Sequence, residues 1–112
     1  NATLASIISA VDRKEPVMVS FQAWNESRSE NYENVWDSGH YAIVVGYDLR
    51  NLYFMDPVMG AGYGVLTKKE FVSRWHDEEF FKGANQKIHH LAIFAKGHQP
   101  IGSFPDQIKW IQ

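Results

Sequence analysis

The chain has 112 residues, 45% of them hydrophobic and 21% charged, which suits one globular domain with a single modest core. Its formal net charge is −2 and no basic stripe is present, so nucleic acid is not an expected partner. The longest apolar runs are strand-length, and none reads as a membrane span or a signal peptide. The absence of cysteine removes disulfides, thiolate metal sites and any thiol nucleophile supplied by this chain.

The chain opens NATLAS, without methionine. Asn1-Ala2 reads as a vector remnant, with Thr3 the first native residue of a piece cut from a longer parent. Leu4, Ile7, Ile8 and Val11 recur at helical spacing behind Thr3 as N-cap, predicting an amphipathic helix over residues 3–13. Pro16 disfavours helical geometry at Glu15 and ends it. PVMVSFQAW follows as a strand, with its proline at the first position, where no ladder donor is needed. NESRSENYENVWDS is a polar surface loop of about fourteen residues, a length often found in binding or lid elements.

HYAIVVGY is apolar on both faces, as a central strand is. DLRN supplies turn chemistry, so LYFMD should return as the second arm of a hairpin. PVMGAGYG is glycine-rich and reads as a loop. TKKE is a capping box that opens a helix carrying Phe71, Val72 and Trp75 inward. HHLAIFAK is a last strand. The expected architecture is one α+β domain over residues 1–112, an antiparallel sheet with flanking helices, with residues 97–112 as an irregular C-terminal extension.

Two titratable residues stand out. His40 lies at the mouth of the central strand, where burial asks for no imidazole, and Asp56 ends the next strand, immediately before Pro57. Hairpin pairing brings the start of one arm beside the end of the other, provided the register sends both side chains to one face. A carboxylate beside an imidazole fixes its tautomer and leaves the second ring nitrogen free for proton transfer. In the structural alternative, His40 ends a strand and Asp56 makes an Asx turn with Pro57.

SGHYAIVVGYD followed by LYFMDPVMGAGYGVLTKKEFVSRW resembles the His-and-Asp half of the papain-like cysteine peptidase superfamily. It is most similar to the bacterial peptidase family 39, whose members cleave double-glycine leaders from exported peptides. The resemblance runs over roughly residues 4–96. It implies a papain-like half-domain in which His40 is the catalytic histidine and Asp56 its orienting residue. Such enzymes carry a cysteine nucleophile and an oxyanion-hole glutamine ahead of this region. Neither is matched here, because Gln22 lies on the strand just before the His40 segment. Loss of a triad nucleophile costs on the order of a million-fold in turnover, so no peptidase turnover is expected from this chain alone. The resemblance leaves two roles open: the general-base half of a cysteine peptidase, or a non-catalytic peptidase-like domain that binds a peptide or protein. A plain structural domain with a vestigial pair is the third. Without the nucleophile-bearing helix an apolar face is left exposed, which predicts a homo-dimer.

Trp36 and Tyr41 are candidate substrate-binding aromatics, and Trp24 is weighed chiefly as a core residue. His76, followed by acidic residues, reads as a solvated helix end. No cofactor is expected and no metal site, because the five histidines show neither HxH nor HxxxH spacing. GAGYG lacks the strand-to-helix setting of a phosphate loop and reads as a flexible rim.

Overall fold

The computed structural model describes residues 1–24, 31–59, 62–96 and 108–112. The front of the polar loop, the Gly60-Ala61 pair and most of the expected C-terminal extension lie outside those residues.

The chain folds as α1 (Leu4–Asp12), β1 (Val17–Gln22), β2 (Gly39–Tyr47), β3 (Asn51–Met55), β4 (Tyr63–Thr67), α2 (Lys68–Arg74), β5 (His76–Phe81), β6 (Ala84–His89), β7 (Ala92–Phe94) and β8 (Ile108–Trp110). Six strands form one sheet in the order β7-β1-β2-β3-β4-β8, antiparallel except for the β4–β8 edge, while β5 and β6 pair as a separate hairpin. The α+β expectation holds. The sheet's inner face carries Val17, Val19, Phe21, Ala42, Val44, Leu52, Phe54 and Leu66, and both helices pack on it through Ile7, Ala10, Phe71 and Trp75.

Local chemistry explains the element ends. Thr3 accepts the Ser6 amide at 3.1 Å and caps α1. The helix closes before Pro16 can act: Lys14 takes φ 63°, Lys14 N donates to Val11 O and Glu15 N to Ala10 O, the paired bonds of a Schellman motif. Thr67 caps α2 by accepting the Glu70 amide at 3.0 Å. The Glu70 carboxylate turns away from the cap to Arg74 Nε, at 2.9 Å. Phe71 and Trp75 face inward as expected, whereas Val72 is 41% exposed, because it lies on the helix's solvent side.

Four strands escape the sequence reading. Tyr63 and Gly64, the end of the expected glycine loop, join Val65, Leu66 and Thr67 in β4. Residues 76–89 form a tight hairpin turning at Lys82 and Gly83, both at positive φ (53° and 82°). His76 is therefore not a solvated helix end: it begins β5, is buried, and its Nε2 lies 2.6 Å from Val35 O. Within the tail, β8 runs parallel to β4, and Ile111 enters the core.

Candidate functional site

β2 and β3 pair as Tyr47↔Leu52 and Gly46↔Tyr53 near the turn, then as Val44↔Phe54 and Ile43↔Met55. One residue, Val45, is extra on β2, a β-bulge. The parity of the strand depends on it. Carried straight on from the turn, the first register would set Asp56 opposite Ile43 and send it to the face away from His40. The bulge shifts the pairing by one, so Asp56 falls on the face of Ala42 and of His40, two residues further along.

The two side chains meet there. His40 Nε2 lies 2.7 Å from Asp56 Oδ2; the carboxylate side chain is wholly buried and the imidazole 15% exposed. A carboxylate only accepts, so this geometry puts the proton on Nε2. Asp56 Oδ1 accepts the Val58 amide at 2.9 Å. The Asx turn and the imidazole bond thus coexist, one on each oxygen. The imidazole is held edge-on between Phe21 (centroids 5.6 Å apart) and Trp24 (6.2 Å). Among the described residues no hydrogen bond to His40 Nδ1 is present.

A cavity of about 590 Å³ lies beside the pair, lined by Trp24, Val58, Lys109, Trp110 and Gln112. Its walls connect to both members: the Trp24 ring packs on His40, and the Val58 amide binds Asp56. Trp24 is held at φ 61°, a left-handed conformation uncommon outside glycine, with its amide donating to Gln112 O at 2.6 Å. Its indole Nε1 is buried without a partner among the described residues.

Of the other two predicted site residues, Tyr41 lines a second cavity of about 300 Å³ together with Asp56 and Pro57, and Trp36 lies elsewhere. Tyr41 adjoins His40 in the strand, so it leaves the opposite face of the sheet, where its hydroxyl donates to Glu79. That bond, then burial, raises the Tyr41 pKa above the usual tyrosine value. Trp36 packs against the β5–β6 hairpin, 4.4 Å from the His76 ring and 5.3 Å from His89, with Lys87 Nζ 4.7 Å above its face. Gln22 is fully buried and its amide is committed: Nε2 donates to His76 O (2.9 Å) and Asp77 Oδ1 (3.3 Å), and Oε1 accepts from Ser38 N (2.7 Å). It points away from the His40 face and offers no free donor for an oxyanion.

Sequence reasoning missed the cavity's other wall, Val58, Lys109 and Trp110, because no local pattern ties the tail to the end of β3. It also missed a buried polar group formed by Ser20, Gln22 and Asp77. A signal for that group exists: Ser20 and Gln22 share one face of an otherwise apolar strand, and buried polar side chains require partners.

No curated protein and no solved structure matches the chain. A family model does match, over residues 1–80, from α1 into β5. With that match added to the imidazole–carboxylate pair at the mouth of the central strand, the chain belongs to the Peptidase_C39 like family.

Proposed function

We propose that His40 and Asp56 are the proton-transfer half of a cysteine-peptidase-type site that acts on a peptide, with the thiol contributed from outside this chain. The observation that carries this reading is the 2.7 Å bond from Asp56 to His40 Nε2. It would orient the ring and leave Nδ1 for proton exchange, as a general base requires. Nδ1 would take the proton of an incoming thiol, raising its nucleophilicity, and return that proton to the leaving amine. The peptide would lie in the cavity walled by Trp24, Val58 and Trp110, whose flat apolar surfaces suit an extended segment.

The lack of cysteine favours a second reading, a peptidase-like domain that binds peptide without cleaving it. It needs the same cavity and no thiol. Self-association belongs to either reading. Ile93, Met18, Ile43, Met55 and Tyr63 are successive cross-strand partners over five strands, and Ile93, Met18 and Met55 are each at least 40% exposed. We propose this row as the apolar face that would pair two copies.

Peptide titration followed by NMR, alongside a hydrolysis assay, tests the function. Peptide-dependent shifts at Trp24, Val58 and Trp110, with no hydrolysis above buffer, are expected from this chain. Hydrolysis above buffer that disappears in His40→Ala would overturn the requirement for an external thiol. A saturating peptide that leaves all three residues unshifted would overturn the peptide site.

A further inference from the structure

We infer that the β5–β6 hairpin is a positioning device for His40, acting through Asp77 and Glu79 on the two residues that flank it. This rests on the proton-transfer reading of His40 and adds residues that do not touch the imidazole.

The need for such a device follows from the sheet. The β2–β3 pairing ends at Ile43↔Met55, while β1 continues to pair with β2 as far as Gln22↔Gly39. From Gly39 to Ala42, the stretch bearing His40, the ladder of the described residues therefore holds β2 from one side. A strand supported on one edge has fewer constraints against local opening than one paired on both.

The outer face supplies the missing support. Gly39 and Tyr41 both point there, on either side of His40. The Asp77 carboxylate rests against Gly39 so closely that a Cβ at that position would lie 2.5 Å from Oδ1 and 2.7 Å from Oδ2. Two residues along β5, Glu79 accepts the Tyr41 hydroxyl. The two-residue repeat of β5 is thus matched to the two-residue repeat of β2, and His40 sits between the matched points with its side chain turned to the inner face.

Asp77 is itself fixed. Ser20 Oγ donates to Oδ2 at 2.7 Å; Glu78 N (2.8 Å) and Gln22 Nε2 (3.3 Å) donate to Oδ1. Gln22 extends the network to the residue before Gly39 by accepting the Ser38 amide, and it also binds His76 O. Ser20, Gln22, His76 and Asp77 are all buried. Partners for every one of these groups make this a rigid node rather than a solvated patch. A catalytic base tolerates little displacement, so holding the backbone on both sides of His40 acts directly on its geometry.

The test compares hydrogen exchange of the His40 Nε2–H and of the 39–41 amides in Gly39→Ala, Asp77→Ala, Glu79→Ala and Glu79→Gln, with Ile7→Val as a core-weakening control. Exchange at these sites should accelerate on the order of tenfold or more in the first three. Glu79→Gln, which keeps an acceptor for Tyr41, should stay near the wild type, and Ile7→Val should leave the 39–41 segment closest to it. If Gly39→Ala and Asp77→Ala do not fold, the Glu79 pair and Tyr41→Phe decide, since Tyr41 is 44% exposed. Folded variants with unchanged exchange at His40 would overturn the inference. Failure of peptide to bind the wild type would strike the proposed function and leave this result standing.

Discussion

Asp56 uses both carboxylate oxygens, one for the imidazole and one for the Val58 amide, inside a site with no exposure of its own side chain. Removing it strands the Val58 amide and a mostly buried imidazole, so Asp56→Ala should cost about 1–3 kcal/mol in urea denaturation. Asp48 shows a second residue-scale effect. The Tyr53 hydroxyl, followed by the Asn51 and Arg50 amides, holds its carboxyl below the usual carboxylate range. A lowered folded-state pKa contributes stability that is present above the ordinary aspartate pKa and lost as pH falls through the folded value. Tyr53→Phe should therefore flatten the acid limb of a stability–pH profile measured below about pH 4, and an unchanged limb would contradict the assignment. Tyr53 mirrors this: Asp48 raises its pKa, so that contribution is present below the ordinary tyrosine value and lost as pH rises through the raised one.

At the scale of elements, the site depends on Val45 being taken up as a bulge rather than as a paired residue. His40 and Asp56 were legible as neighbours across a hairpin from DLRN and the flanking strands, but their common face was not, because a bulge leaves no distinctive residue in AIVVGY. Deleting Val45 would leave Val44 and Gly46 as consecutive partners of Phe54 and Tyr53, one unbroken register. A folded deletion variant should therefore keep the His40–Asp56 bond, and loss of that bond in a folded variant would contradict the registers on either side of the bulge. The β5–β6 hairpin was hidden for a related reason: its turn is Lys82-Gly83, which lacks the Asn or Asp that usually announces paired positive φ. His76 and Asp77 consequently looked like surface charge, and their burial against Ser20 and Gln22 is set by β1, more than fifty residues away in sequence. α1, β1, β2, β3 and α2 were readable because their caps and periodicities are local. Thr67→Ala, which removes one such cap, should cost about 1 kcal/mol.

Over the whole molecule, helices cover the inner face while the outer face is divided. The hairpin roofs the Ser20–Gln22 end and leaves the Ile93–Met18–Ile43–Met55 row open to solvent. If that row pairs two copies, Met18→Lys with Met55→Lys should shift a concentration-dependent elution toward the monomer in size-exclusion chromatography. A wild type that elutes as a monomer at every concentration would remove the dimer. The family match ends in β5, yet β8 closes the far sheet edge and supplies Lys109 and Trp110 to the cavity. The cleft beside His40 is therefore walled by the C-terminal segment as well as by the matched region. The central claim is that Asp56 fixes the imidazole with its proton on Nε2. Long-range proton–nitrogen NMR of His40 tests it most directly: the neutral ring should be the Nε2–H tautomer with a downfield, hydrogen-bonded Nε2 proton, and Asp56→Ala should abolish that downfield signal. A ring protonated on Nδ1, or one indifferent to the loss of Asp56, would contradict the account.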